Sequence, residues 1–258
     1  MFVSGSGEPW LRSEKHAELG TEILLPCVLK SPQCEGLHSI KWYRGPTRIF
    51  IFSEDAGIIR GNNDIALSMN VLRECFRADI EYSSNSSKTY LKIPEVQLED
   101  ESLYKCEATY MAVNRECNNV QHIILNVTVQ PAFVRVIDEN SKNTLSTGAT
   151  LGPINEGSTI SLYCESGEGK PVPTVEWFKD GVEEPLEVTS SSTITDTGIG
   201  TGSSLLEMQI TREELGATFT CKVNSIALVE PLTVDIKPDI HVRHYNDNKA
   251  LSMIGPQC

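Results

Sequence analysis

The chain has 258 residues, and 35 acidic against 22 basic side chains leave it a formal charge of −13. An acidic surface repels phosphate backbones, which argues against nucleic acid as a partner. The 40% hydrophobic content supports packed cores rather than a disordered chain, and the length fits one large domain or two ordinary ones.

Eight cysteines are ordinary for a secreted protein and many for a cytosolic one. No apolar run reaches the roughly 18 residues of a membrane helix. Met1-Phe2-Val3-Ser4-Gly5-Ser6-Gly7 also lacks the apolar stretch of a signal peptide. Oxidised cysteines without either segment imply an excerpt from a longer extracellular protein, secreted or at the cell surface. Contact with a membrane is then expected only through segments outside this chain.

In chain order, Thr21-Glu22-Ile23-Leu24-Leu25-Pro26-Cys27 reads as a strand leading into the first cysteine. Cys34 follows in the next loop. Lys41-Trp42-Tyr43-Arg44 reads as a central strand running into a turn, with Arg48-Ile49-Phe50-Ile51-Phe52 after it. Consecutive apolar residues in that second run put bulky groups on both faces of one strand. Either a covering loop or a docking patch would explain them. Asp64 to Asp79 holds Cys75. Asp100-Glu101-Ser102-Leu103-Tyr104-Lys105-Cys106 sets a tyrosine two residues before a cysteine, and Cys117 lies in the loop beyond. Ile123-Ile124-Leu125-Asn126-Val127-Thr128-Val129 closes the first domain, and Gln130-Pro131 is a linker too short for much freedom.

The second half repeats this plan. Ser158-Thr159-Ile160-Ser161-Leu162-Tyr163-Cys164 alternates apolar and polar as a half-buried strand does. Glu176-Trp177-Phe178-Lys179-Asp180-Gly181 is a central strand and turn, and Leu232-Thr233-Val234-Asp235-Ile236 closes the domain. Gly198-Ile199-Gly200-Thr201-Gly202 lacks the strand–turn–helix setting of a nucleotide loop and reads as a flexible hairpin loop. Gly167-Glu168-Gly169-Lys170 precedes proline rather than serine or threonine, so its P-loop reading fails.

The cysteine spacing organises these elements. Trp42 follows Cys27 by 42 − 27 = 15 residues, and Cys106 by 106 − 27 = 79; Trp177 and Cys221 follow Cys164 by 13 and 57. A Cys…Trp…Cys order at such gaps marks an immunoglobulin sandwich, in which the bridge staples two sheets and the indole packs against it. Loop closure makes each staple worth roughly 4 to 5 kcal/mol. Tyr104 fits the tyrosine corner of that fold; Phe219 stands at the matching place in the second domain and cannot make the hydrogen bond. The fold class is therefore all-β, two tandem immunoglobulin-like sandwiches. A variable-type domain at 15–130, whose longer gap leaves room for extra strands, precedes a constant- or intermediate-type domain at 131–237. The tail at 238–258 has no assigned role. Cys34 and Cys117 lie in loops at one end of the first sandwich and are expected to pair. Cys75 is without an obvious partner and competes for Cys34; the pairing of Cys258 is open.

Catalytic and metal chemistry finds no support. No C-x₂-C pair occurs. The histidines at 16, 38, 122, 241 and 244 show no ligand spacing, and His122 is expected on a strand edge. No G-x-S-x-G elbow surrounds any serine. Glu183-Glu184 and Glu213-Glu214 are adjacent, so on strands they point apart, as solvated surface charge. The reading is a non-enzyme without cofactor or metal. Asn85-Ser86-Ser87 and Asn126-Val127-Thr128 are glycosylation sequons.

Such modules act by presenting a face or loops. Trp42 and Cys106 point inward, so alternation puts Lys41, Tyr43, Lys105, Glu107 and Thr109 on the outer sheet face. Arg48 and Phe50 complete the expected partner-binding set, with Ile51 the alternative to Phe50 as the second apolar anchor beside Tyr43.

Trp42-Tyr43-Arg44, Arg48-Ile49-Phe50, Val96-Gln97-Leu98-Glu99-Asp100-Glu101 and Tyr104-Lys105-Cys106 resemble the arthropod sidestep family. Leu151-Gly152-Pro153-Ile154-Asn155-Glu156-Gly157 and Gly169-Lys170-Pro171-Val172-Pro173 are similar to it as well. The resemblance runs over roughly residues 18 to 237. It implies a neuronal cell-surface receptor or ligand for beaten-path proteins, acting in axon guidance and synaptic partner matching, with the first domain at the contact. Two other readings stand beside it. One is a secreted immune protein binding a glycan or microbial ligand through the tethered loops. The other is the ectodomain of a receptor enzyme.

Overall fold

The computed structural model describes residues 11–29, 34, 36–53, 55–60, 78–84, 86–111, 117 and 119–242. Cys75, Asn85, His244 and Cys258 lie outside the described residues. The chain divides into a unit ending at Val129 and a unit beginning at Gln130.

The first unit holds β1 (Leu11–Glu18), β2 (Ile23–Val28), β3 (Leu37–Arg44), β4 (Thr47–Ser53), β5 (Gly57–Arg60), β6 (Asp79–Glu81), β7 (Lys88–Ile93), β8 (Ser102–Tyr110) and β9 (Asn119–Thr128). One sheet has the order β1-β9-β8-β3-β4-β5 and the other β2-β7-β6. β1 starts at Leu11, ahead of the expected boundary at residue 15, and runs parallel to β9 from Leu11↔Gln121 to Glu18↔Thr128. Cys27 and Cys106 join the sheets with Cα atoms 6.0 Å apart, and Trp42 is enclosed with them in the core. The Tyr104 hydroxyl donates to the Asp100 carbonyl at 2.9 Å, a link that fixes the approach to β8.

The apolar run in β4 needs a correction. Phe50 is 0% exposed and Ile49 1%, and both belong to the core. The register slips there: Trp42 faces Phe50, but Tyr43 faces Arg48, leaving Ile49 as the extra residue of a β-bulge. A bulge turns two consecutive side chains to one face. Phe50 is therefore a core residue, and Ile51 is the β4 apolar residue that stays on the outer side.

The second unit holds β10 (Phe133–Asp138), β11 (Asn143–Leu145), β12 (Ala149–Asn155), β13 (Thr159–Gly169), β14 (Thr174–Lys179), β15 (Thr189–Ile194), β16 (Gly200–Gln209), β17 (Phe219–Asn224) and β18 (Leu232–His241). Its sheets are β11-β10-β13-β16-β15 and β12-β18-β17-β14. β18 continues past residue 237: Pro238 and Ile240 pair with Leu151 and Ile154 of β12, so the tail begins after this strand. Cys164–Cys221 crosses the sandwich at a Cα distance of 6.5 Å, beside buried Trp177 and Phe219.

Gly200 and Gly202 also depart from the expected flexible loop. The turn itself is Thr195–Ile199, closed by the Thr195 amide on the Ile199 carbonyl at 2.8 Å. Both later glycines lie in β16, where a Cβ would meet the Thr193 carbonyl oxygen at 2.2 Å and the Pro173 carbonyl oxygen at 2.0 Å. Close backbone approach requires glycine here, not flexibility.

The Glu213-Glu214 pair is likewise not two solvated charges. Glu214 is 5% exposed. Its carboxylate accepts from the Thr211 amide at 2.8 Å, the Thr211 hydroxyl at 2.7 Å and the Lys179 ammonium at 2.9 Å. The first unit repeats this corner with Asp100, which accepts from the Gln97 amide at 2.9 Å and lies 3.9 Å from Arg44. Burial pushes the Glu214 carboxyl up, but Lys179 and Thr211 outweigh it and hold it below its ordinary value of 4.5. A depressed folded-state value stabilises above the unfolded value and loses that contribution as pH falls through the folded one. Glu214→Gln is thus expected to destabilise the second domain at about pH 7 and much less at about pH 3. Denaturant unfolding of both proteins checks this; a gap that does not change with pH contradicts it.

Candidate functional site

Alternation in β3 and β8 points Ile40, Trp42, Tyr104, Cys106 and Ala108 into the core and leaves Lys41, Tyr43, Lys105, Glu107 and Thr109 on the outer face. Hydrogen-bonded pairing sets these in rows across four strands. One row reads His122, Lys105, Tyr43, Arg48; the next reads Val120, Glu107, Lys41, Ile51. Each side chain therefore has its neighbour about 5 Å away on the adjacent strand.

Tyr43 is the hub. The Lys105 ammonium sits 4.0 Å from the centre of its ring, a cation–π contact that holds the ring flat on the face. The same ammonium donates to Glu107 at 2.7 Å, and the Tyr43 hydroxyl hydrogen-bonds to that carboxylate. Partial burial, then this hydrogen bond, raises the phenol above its ordinary 10.0. Burial acts to raise the Glu107 carboxyl, but Lys105 and Tyr43 outweigh it and hold it below 4.5. Tyr43 is consequently a neutral phenol and Glu107 an anion at physiological pH. Thr109 is occupied by Ser39, hydroxyl to hydroxyl at 2.8 Å.

Around this polar hub lie apolar groups that the sequence reading did not include. Ile51, Val120 and Ile124 are half-buried, and Leu103 is 44% exposed. Outward parity on β8 and β9 is the signal that finds Leu103, Val120 and Ile124 once β9 is placed beside β8. His122 is not at an edge, because β9 lies between β1 and β8. The assembly offers aromatic and aliphatic surface rimmed by charge, with no nucleophile–base pair. Among the described residues no group of three or more His, Cys, Asp or Glu is arranged to hold a metal.

Residues 12–129 match the family model for the immunoglobulin V-set domain, and residues 141–231 that for the CD80-like C2-set immunoglobulin domain. The chain belongs to the immunoglobulin superfamily. It is 27% identical over 188 residues to Kin of IRRE-like protein 1 of Rattus norvegicus, covering 72% of this chain and 22% of that protein. It is 25% identical over 221 residues to Cell adhesion molecule 3 of Mus musculus, covering 86% of this chain and 47% of that one. The chain thus spans less than half the length of these relatives. The crystal structure of Rst D1-D2 superimposes with a TM-score of 0.55 at 17% identity, covering 90% of this chain and 98% of that one. That likeness carries the fold alone. The second of these relatives is, by its name, a cell adhesion molecule. No helix among the described residues is long and apolar enough to cross a membrane.

In this immunoglobulin frame Cys34 and Cys117 are bridged, Cα to Cα 5.6 Å, at the loop end of the V-set domain. Gln121 ties the same end, accepting from the Val28 amide at 3.0 Å and donating to the Val28 carbonyl at 2.9 Å. Asn126 lies on the outer face at the far end of β9, where its amide donates to Glu14 of β1.

Proposed function

We propose that this chain is a non-catalytic adhesion module whose V-set domain binds another immunoglobulin-family cell-surface protein through the outer sheet face. The observation that carries the reading is Tyr43, an aromatic ring clamped between Lys105 and Glu107 at the centre of four paired strands. Pre-set aromatic anchors of this kind supply most of the energy of protein interfaces. Lys41, Tyr43, Arg48, Lys105, Glu107 and Thr109 form the contact, with Ile51 in the place expected for Phe50. The resemblance to the sidestep family extends the proposal to axon guidance and synaptic matching, with a beaten-path-like partner. A relative that is a cell adhesion molecule favours it over a secreted immune protein or a receptor-enzyme ectodomain.

Asn126 and Asn85 are the proposed glycan carriers. A glycan on Asn126 uses one of its two amide hydrogens, so the other still reaches Glu14. It stands four residues along β9 from His122, about 13 Å by strand rise, and borders the patch without covering it.

An avidity-enhanced screen of the multimerised chain against extracellular immunoglobulin proteins, itself and beaten-path members included, tests the reading. A binder lost by Tyr43→Glu and kept by Leu24→Glu is expected, because Leu24 is exposed on the opposite sheet. A binder lost by Leu24→Glu and kept by Tyr43→Glu contradicts it.

A further inference from the structure

The charge of the chain is unevenly distributed. Residues 130–242 carry 17 acidic against 7 basic side chains, a net of −10, whereas residues 11–129 carry 16 against 13, a net of −3. Within the first domain the region around Tyr43 reverses sign. Lys41, Arg48 and Lys105 surround a single acid, Glu107, in two adjoining rows, and Arg12 extends the upper row beyond His122. Of the acids further along β1, Glu14 is engaged by Asn126 and Glu18 closes the strand. The Glu107 charge is itself held by Lys105 and Tyr43.

We infer that the docking face selects a protein partner with an acidic face, and that the contact is heterophilic. This rests on the docking reading above and adds the chemistry of the occupant. A symmetric face-to-face pair of this chain sets the patch of Lys41, Arg48, Lys105 and Glu107, three cations against one acid, of one copy against the same net-positive patch of the other. Like-charge juxtaposition across an interface suppresses such pairing, whereas complementary charge speeds encounter. A sulfated glycan fits less well. Its recognition needs a run of cations, while here Tyr43, Ile51 and Leu103 put apolar surface among them and Glu107 opposes the anion.

The test uses the full chain, wild type, Tyr43→Glu and Lys41→Glu/Arg48→Glu, in the same panel screen and on a heparin column. Protein binders are expected to weaken at least about tenfold between about 50 and about 500 mM NaCl. They should weaken by a similar factor with Lys41→Glu/Arg48→Glu, and no self-binding should occur. A binder lost by Tyr43→Glu but indifferent to salt and to the charge reversal overturns the acidic-partner inference and leaves the docking face standing. Self-association abolished by Tyr43→Glu, or heparin binding with no protein binder, overturns it as well. A binder indifferent to every variant, or a blank panel with folded protein, counts against the docking face itself.

Discussion

Tyr43→Glu removes partner binding by more than about 30-fold, the loss of a hot-spot anchor worth about 2 kcal/mol or more, and barely moves the unfolding curve. Phe50→Glu, seven residues on, unfolds the first domain. The difference that decides the outcome is the side of the sheet they occupy. Tyr43 packs its ring under Lys105 on the outer face, and substitutions at such surface positions change stability by about 0.5 kcal/mol. Phe50 is enclosed in the core through the β4 bulge. Truncating a buried phenylalanine costs about 3 to 5 kcal/mol, and an unpaired buried carboxylate adds several more. That total rivals the stability of a whole domain. Circular dichroism and denaturant unfolding of both variants, beside a binding assay, check the contrast. A folded Phe50→Glu chain that has lost binding would restore Phe50 to the contact set.

Gly202→Ala is the second large effect, and it falls on stability alone. The added methyl would stand 2.0 Å from the Pro173 carbonyl oxygen, which is backbone and must itself move. Overpacking of this kind costs about 3 kcal/mol in the second domain. Gly198→Ala, in the neighbouring turn at φ +83°, meets only the flexible end of Lys170 at 3.1 Å. It costs about 1 kcal/mol for the left-handed backbone. Equal losses from the two substitutions would contradict the close approach of β16 to Pro173.

The contrast between these glycines shows how far the sequence can be read. The two central staples and the two indoles were legible because both halves repeat the order Cys…Trp…Cys, and Tyr104 because it stands two residues before its cysteine. The β4 bulge was not, since the consecutive apolar residues Ile49-Phe50-Ile51-Phe52 mark a broken alternation without saying whether a slipped register or a second covered face causes it. Gly200 and Gly202 read as a loop because their reason lies on Pro173 and Thr193, contacts that only the assembled sheets create. β1 escaped its true start for a related reason. It buries little beyond Ala17, and its parallel pairing with β9 spans more than a hundred residues of sequence. Glu214 looked like surface charge because it was read on a strand, whereas it lies in a 3-10 turn, Arg212–Glu214, and its partner Lys179 comes from β14. Of the docking face, parity gave Lys41, Tyr43, Lys105, Glu107 and Thr109 their side, while Leu103, Val120 and Ile124 waited on the order of β8 and β9.

The measurement that bears most directly on the docking face is hydrogen exchange on the full chain, alone and saturated with a partner from the screen. Protection gained on β3, β4, β8 and β9 of the first domain, with β2 and β7 unchanged, is the predicted result. Protection confined to β2 and β7, or to the second domain, would contradict it.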